Sequence, residues 1–541
     1  MQRKAVLISA ALFALSWVFA FPLFAQPPAA PRTGVIEVSD LLRRGEELET
    51  QRRWADAMVH YEEAVRQFPD DHSLERHFTA ARLHYDLGRR YADTTFCQSI
   101  KRLSLQETLS LYEDVLVKIQ AHYVEALPWK ALVEHGLNSL DVALGEPAFL
   151  DRNAPQANAT AVDAFRREVR RSLGEQMVAS RDDARNAAAT AAEMARTRLA
   201  AEPTAIVFEF ICGAVNALDP YSAYLTAGQL AEVYSQIDGN FVGLGVEIKP
   251  QTGALLVVRV IPNSPAQRNG ILTGDSIVAV DHQLVKDCPA ERAANLLQGE
   301  AGSVVEISVV TPGQPERKLL IPRQRVEVPS IDEARIIDAT RGIGYLKMVC
   351  FQKNTSREMD EALWRLHREG MKSLIVDVRG NPGGLLVAAV DVAEKFIAQG
   401  TIVVTRGRSA QEDFNYTAHQ VGVWQVPLVV LIDQDSASAA EIFAGAVRDH
   451  HRGTLVGVRS YGKGSVQGIF PLGYANAGVR LTTARFYSPA GHPYHRVGIE
   501  PDVLVHRTAR PLPGNEAPAA SPEDPMLGAA LQAAAGALPR R

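Results

Sequence analysis

Hydrophobic positions change their spacing once along this chain. Up to about residue 235 they recur at three- and four-residue intervals, the period of helices that bury one face. From about residue 238 they fall in short β-branched runs bounded by Gly, Pro and Asp, the mark of strands. In the first half, Leu111, Val115, Ile119 and Tyr123 line one side of a helical stretch over 105–145. Residues 38–71 place Gly45, Ala57, Tyr61, Ala64 and Pro69 at the small, small, bulky, small and helix-stop positions of one tetratricopeptide-type unit, or of an ordinary helical hairpin. A single unit cannot bury its own face and must pack on its neighbours. There is no convincing second copy, although 80–91 is helical. Residues 160–202 are rich in Ala and Arg and predict a long, weakly amphipathic helix or a solvated arm. "LDPYSAYLT" (218–226) closes this half with turn chemistry at Asp219-Pro220.

In the second half, strands are predicted at 254–261, 276–281 and 303–310, with a short helix at 290–299 between the last two. From about 340, strands and helices alternate: strand 373–378 precedes helix 385–398, and strand 427–433 precedes helix 438–450. That is an α/β pattern with buried strands. The tail from about 509 is rich in Pro and Ala and predicts disorder. The expected fold class is multidomain α+β: helical regions at 38–100 and 101–235, a β-rich domain at 236–326, an α/β domain at 327–508, and the tail at 509–541.

Composition narrows the function classes. At 541 residues the chain has room for three or four domains at roughly one per ~150 residues. A net charge of −5, from 57 basic and 62 acidic residues, gives no reason to expect nucleic acid as a partner. The N-terminus departs from the average. Arg3 and Lys4 precede an uncharged apolar run over 5–25, and Ala25 stands before "QPPAAP". This reads as an export signal, or as an uncleaved membrane anchor; either way the bulk of the protein is expected outside the cytoplasm, in the periplasm or cell envelope. Membrane contact is expected only if the segment stays uncleaved. Cys97, Cys212, Cys288 and Cys350 are far apart and form no CxxC pair, so buried free thiols are expected rather than zinc ligands. No metal and no cofactor are expected.

Three segments hold candidate chemistry. In "DQDSASAAEIFAG" (433–445), Ser438 and Glu441 have the spacing of a capping box at the start of a helix whose Ile442, Phe443, Ala446 and Val447 form an apolar stripe. The same serine, between small residues at a strand-to-helix junction, also suits a nucleophile, because a substrate backbone can approach and the helix-start N–H groups can hold an oxyanion. A serine nucleophile needs a base. His450, His451, His492 and His495 make no compelling His-Asp pair with it, and HExxH is absent. Lys463, in "SYGKGSVQGIF" (460–470), lies between two glycines that let the backbone aim its side chain. It is either a solvated turn lysine or a base, and as a base it must be neutral, which burial favours. Gln467 is placed to accept a hydrogen bond from its amine. Gly457, Gly462 and Lys463 begin a phosphate-loop pattern, but Gly464 stands where Ser or Thr is required, and the next segment reads as strand. In "VDVRGNPGG" (376–384), a Gly-rich turn after a strand can supply an oxyanion N–H from Gly383 or Gly384, or can simply connect.

In this order, "DVRGNPGG", "SASAAEI" and "GKGSVQ" resemble the motifs of the C-terminal processing peptidases, also called tail-specific proteases. The resemblance implies Ser438 as nucleophile, Lys463 as base 25 residues later, Gln467 orienting that lysine, and the N–H groups of Gly383 and Ala439 as oxyanion hole. It extends over 109–508 apart from an apparent insert at about 146–204, taking in "LDPYSAYLT", "GNFVGLGVEI", "SPAQRNGILTGDSIVAVD", "GIGYLKMVCF" and "ARFYSPAGHPYHRVGIEPDV". Ala440 replaces a family serine and Val458 a frequent glutamate, and the N-terminal unit lies outside the usual family core. The resemblance implies a PDZ domain at 236–326 and a catalytic domain like the ClpP/crotonase core at 327–508. In the PDZ domain, Phe241, Gly243, Leu244, Gly245 and Val246 would present backbone N–H groups to a peptide's terminal carboxylate beside a strand edge. The implied protein is an exported serine endopeptidase that captures substrate C-terminal tails, with protein or peptide substrates and a possible adaptor at the N-terminal helices. The rival is a catalytically inactive PDZ and helical-repeat scaffold.

Overall fold

The computed structural model describes residues 37–537, apart from 252, 288–293, 295, 298, 420–422 and 506–523. The apolar N-terminal run, Cys288 and most of the expected 290–299 helix lie outside the described residues. Two compact units emerge. One holds the described residues up to Leu230 together with Ile469–Thr482; the other holds Ala231–Gly468 and the described residues from Thr483 onward. The two helical regions expected at 38–100 and 101–235 thus share one unit, and a single core runs from Leu87 to Leu481.

In the helical unit, Val38–Thr50, Trp54–Gln67 and His72–Ala92 pack in succession. Ala57, Tyr61 and Ala64 are buried between them. Gly45 is forced by Tyr61, whose ring atoms lie 2.1–2.3 Å from where a Cβ on residue 45 would sit. The centre of the unit is Pro203–Asn216, buried at every position from Thr204 to Val215. It packs on Leu105–His122, Trp129–Ala143 and Arg181–Leu199. Its crossing with Trp129–Ala143 is close because two glycines meet: a Cβ on Gly213 would lie 2.6 Å from Gly136 Cα. Glu209, with no exposed surface, is satisfied by Arg90 (2.8 Å), Ser139 Oγ (2.7 Å) and Tyr91 Oη (3.1 Å).

The Ala- and Arg-rich stretch differs from a solvated arm. It folds as Ala159–Gly174 and Arg181–Leu199, and the second helix buries Ala184, Ala187, Ala188, Ala191, Ala192 and Ala195 in the core. Alanine adds little to a hydrophobic pattern, so the face is faint in sequence. Its smallness is what lets the helix lie close to its neighbours. The arginines face out, paired as Arg196–Glu193 and Arg198–Glu168.

The second unit begins with an antiparallel sheet whose main path runs Val246–Gln251, Ala254–Val260, Ser276–Val280, Val304–Val310, Arg317–Pro322. Val246–Gln251 is an edge strand of this sheet. A second, six-stranded sheet orders Ile331–Asp338, Ile343–Met348, Ser373–Asp377, Leu428–Ile432, Thr454–Gly457 and Val503–Leu504. Its first pair is antiparallel and the rest are parallel. The central strands Ser373–Asp377 and Leu428–Ile432 are buried throughout, as parallel strands covered on both faces are. The expected disordered tail is corrected in part: Pro525–Gly536 is a helix, capped by Asp524. Met526, Ala530 and Ala534, spaced one helical turn apart, pack on Ile343, Tyr345, Ile375, Val429, Leu431 and Val456 of this sheet.

The glycine environments separate two substitutions. Gly213→Ala drives a methyl into the backbone of the opposing helix and should destabilise by about 1–3 kcal/mol. Gly88→Ala, mid-helix with nothing within 4 Å of the new methyl, should stabilise by about 0.5–1 kcal/mol. Chemical denaturation of the two variants checks the opposite signs.

Candidate active site

Three neighbouring parallel strands each send a loop from the carboxyl end, where open α/β sheets place their sites. Ser373–Asp377 leads into the Gly-rich turn with Gly383, Leu428–Ile432 into the loop with Ser438, and Thr454–Gly457 into the loop with Lys463. The fold therefore brings together three motifs that are far apart in sequence.

Ser438 immediately precedes the helix Ala439–Asp449 with φ 56° and ψ −113°, a strained conformation for a residue with a Cβ. The surrounding hydrogen bonds hold it there. Ala437 N–H donates to Asn381 C=O (2.9 Å), Ser436 Oγ donates to Val378 C=O (2.8 Å), and Gly380 N–H donates to Asp433 Oδ1 (2.9 Å). The turn and the serine loop touch at Gly383: a Cβ there would lie 2.7 Å from Ala437 O, 2.8 Å from Ala439 N and 2.8 Å from Ser438 Cβ. Ser438 has no exposed surface, and its Oγ is buried with no hydrogen-bond partner. So the hydroxyl does not serve as the helix cap, and neither a histidine nor Lys463 is hydrogen-bonded to it in this conformation.

The other half of the expected capping box is formed, and it does more than cap. Glu441 is fully buried in the helix's first turn, and its Oε2 accepts from the Ser438 N–H at 2.7 Å and from the Lys463 N–H at 2.9 Å. Its Oε1 accepts from Ser460 Oγ (2.6 Å) and the Gly462 N–H (2.7 Å). One carboxylate thus joins the backbone of the nucleophile candidate to that of the base candidate. Burial raises the Glu441 pKa above the ordinary carboxyl value, against the lowering by Ser460 and the three N–H donors. Sequence reasoning assigns Glu441 to the helix start alone. Its bridge to the lysine loop has no signal beyond a glutamate amid small apolar residues.

Lys463 is 5% exposed, on a segment fixed before it by Tyr461 N–H to Ser436 C=O (3.0 Å) and Arg496 N–H to Gly462 C=O (2.8 Å), and after it by Phe486 N–H to Gly464 C=O (3.0 Å). Gly462 has φ +88°, so the turn needs its glycine. The chain then enters the strand Ser465–Pro471, not a helix, so the phosphate-loop pattern has no structural counterpart. Gln467, 1% exposed, lies on the same strand face as Ser465, to whose Oγ its Nε2 donates at 2.9 Å. The amide therefore turns its nitrogen toward Ser465, and its oxygen is the accepting end.

The oxyanion expectation needs one correction. The Gly383 N–H donates to Asn381 Oδ1 at 2.9 Å, so it is committed within its own turn. Asn381 is itself fixed by Nδ2 donating to Met348 C=O (2.9 Å). Gly384 forms a parallel bridge with Phe351: Phe351 N–H donates to Gly383 C=O and Leu385 N–H to Phe351 C=O, each at 2.8 Å. In such an extended stretch the N–H of Gly384 points away from Phe351. Ala439 opens the helix as expected, fully buried. Asp377 and Arg379, members of the "DVRGNPGG" motif to which sequence reasoning gives no role of their own, sit at the turn's start. Asp377, fully buried, accepts from Tyr345 Oη (2.8 Å) and from Arg379 N–H, Nε and Nη2 at 2.7–3.1 Å. Of the cysteines, Cys212 and Cys350 are buried free thiols and Cys97 is half-buried and free.

At the antiparallel domain, Phe241 and Gly243 lie on Asn240–Gly243, which pairs with Gln324–Glu327. Leu244 and Val246 are buried in that domain's core. Gly245 has φ +84°, and a Cβ on it would lie 2.2 Å from Ser264 Cβ. These five positions run directly into the edge strand.

Two segments of the chain match known families. The profile of peptidase family S41 matches residues 342–505, and that of the PDZ domain matches residues 242–316. A carboxy-terminal-processing protease of Bartonella bacilliformis is 35% identical over 309 residues, 56% of this chain and 69% of the relative. A carboxyl-terminal-processing protease of Synechocystis sp. is 32% identical over 294 residues, 53% of this chain and 68% of the relative. Among solved structures, the photosystem II D1 C-terminal processing protease shares 26% identity at a TM-score of 0.41, with 74% of this chain and 93% of that chain covered. With its S41 and PDZ segments adjoining and its two relatives matched over more than two thirds of their length, the chain belongs to the carboxy-terminal-processing proteases of family S41, which are serine peptidases.

Proposed function

We propose that the chain is an exported endopeptidase with a Ser438–Lys463 dyad. The observation that carries this reading is the shared Glu441 oxygen, which holds the N–H groups of both residues. Ser438 Oγ attacks the scissile carbonyl while neutral Lys463 takes its proton; the lysine then hands a proton to the leaving amine, and water releases the acyl group. Burial of Lys463 favours the neutral form that a base requires. Gln467 Oε1 makes no hydrogen bond to the Lys463 amine in this conformation, and its assigned role is to accept from that amine once substrate is bound. The developing oxyanion is received by the N–H groups of Ala439 and of Gly384, the latter in place of Gly383. Since Ser438 has no exposed surface, a peptide reaches it only after neighbouring segments move aside. The charged pair Arg3 and Lys4 before the apolar run over 5–25 supports export.

The PDZ edge strand Val246–Gln251 pairs on one side only among the described residues, so a peptide can add to the other, and the segment 241–245, part strand and part loop, leads into it, which supports capture of a C-terminal carboxylate. Partners are protein or peptide substrates with accessible tails.

Ser438→Ala and Lys463→Ala should each abolish cleavage of an unfolded, tailed protein while leaving the far-ultraviolet circular dichroism unchanged. Retained cleavage by Ser438→Ala overturns the dyad. Glu441→Gln places an amide group against four donors; it should lower kcat by about 10² and cost about 1–3 kcal/mol for each donor left unpaired. In the wild type, Glu441 takes up a proton as pH falls through its raised pKa and the clamp weakens. The acid limb of kcat, which the lysine base also shapes, should therefore carry a further step above the ordinary carboxylate range that is absent in Glu441→Gln. Amidating the substrate's C-terminus should raise KM by about ten-fold with kcat unchanged; equal KM for amide and acid forms would dismiss carboxylate capture.

A further inference from the structure

The C-terminal helix Pro525–Gly536 lies beyond the residues matched to the peptidase family, yet it is built into the catalytic sheet. In parallel and antiparallel strands alike, alternate residues share a face. Ile343 and Tyr345, Ile375 and Asp377, and Val429 and Leu431 therefore point one way, and all but Asp377 form one buried cluster with Met526, Ala530 and Ala534. Asp377 stands at the end of its strand on this same face. It is joined there by Tyr345 Oη and by the Arg379 guanidinium.

Arg379 has two carboxylate partners. Its Nε and Nη2 lie on Asp377, and its Nη1 lies 3.0 Å from Asp524 Oδ1 and 2.8 Å from Oδ2. Asp524 is the N-cap of the C-terminal helix and also accepts from the N–H groups of Met526 and Leu527, each at 3.1 Å. Arg379 is the first residue of the turn that ends at Gly383 and Gly384. Its position is thus set from two directions, by the strand it leaves and by the cap of a helix 145 residues later in the chain.

We propose that Asp524 is a positioning residue for the oxyanion turn: from the cap of the C-terminal helix it holds Arg379, and through Arg379 it fixes the turn 379–384 opposite Ser438. This rests on the endopeptidase reading above. Partial burial pushes the Asp524 carboxyl up, but the Leu527 N–H, Arg379 and the Met526 N–H outweigh it and hold the group below the usual carboxylate range. The pair accordingly stays ionised wherever a neutral lysine base operates.

The cap role and the positioning role are separable, because Asn caps a helix as well as Asp does but carries no charge for Arg379. The test uses the full chain and an unfolded, tailed protein substrate, with wild type and Ser438→Ala as references. Asp524→Asn is expected to lower kcat by about ten-fold with KM unchanged, while the thermal midpoint stays near wild type. Asp524→Glu is expected to recover most of the loss. In Arg379→Lys, adding Asp524→Asn is expected to cause little further loss, since both act through one contact. Wild-type kcat in Asp524→Asn, or a full additional loss in the double variant, overturns the inference while leaving the endopeptidase reading intact. A wild type as inactive as Ser438→Ala overturns that reading, and the inference with it.

Discussion

The Glu441 carboxylate is taken wholly out of water and given four donors in exchange, two on each oxygen. Moving such an ion into the interior costs several kcal/mol, and only a complete set of hydrogen bonds offsets that. The arrangement therefore tolerates little variation. The serine loop, the lysine loop and Ser460 must all arrive together, or an anion is left unpaired. That requirement couples the two loops in addition to the backbone bond from Tyr461 N–H to Ser436 C=O. It also explains why the residue following a strained serine is the start of a helix. The first turn needs partners for its N–H groups, and here the Ser438 N–H finds one inside its own helix.

Strain at Ser438 belongs to the same logic. A positive φ at a residue with a Cβ costs on the order of 1–3 kcal/mol. The bonds from Ser436 and Ala437 to the neighbouring turn over-determine the backbone on one side, and the bond to Glu441 does so on the other. The Gly-rich turn supplies the remaining constraint. Gly383 is pressed against the serine loop and Gly384 against Phe351, so both positions exclude a side chain for steric reasons. Asn381 then uses its two amide ends to lock the turn to Met348 and to the Gly383 N–H.

Much of this was legible in the sequence, and the limits are physical ones. β-branched runs between turn residues marked the strands at 254, 276, 303, 373 and 427 because buried strands need continuous apolar side chains. The three motifs marked the site because glycines, small residues and a strand-to-helix serine leave a pattern in the chain itself. Three features left none. The alanine face of Arg181–Leu199 is buried through small size rather than hydrophobicity, and pattern reasoning weighs only the latter. The use of the Gly383 N–H depends on which way an asparagine side chain folds back, a choice made by Met348 in another strand. Glu441 has the spacing of a cap, and nothing local distinguishes a cap from a bridge to a loop 22 residues away.

The C-terminal helix was hidden for a related reason. Its sequence, "PMLGAALQAAAG", is too poor in large apolar residues and too close to a Pro- and Ala-rich stretch to stand out. Yet an α/β sheet with buried parallel strands needs cover on both faces. The helices Thr355–Arg368, Leu386–Ala393 and Ala439–Asp449 come from crossovers between strands, whereas the Pro525–Gly536 helix packs against Ser373–Asp377, Leu428–Ile432 and Thr454–Gly457 from outside the crossover pattern. The face it covers ends at Asp377, the last residue of the strand that leads into the Gly-rich turn. Packing of an alanine-rich helix and placement of the turn are thus consequences of one strand's alternation: the residues that give the sheet its second layer, and the carboxylate that receives Arg379, point in the same direction because they are two residues apart.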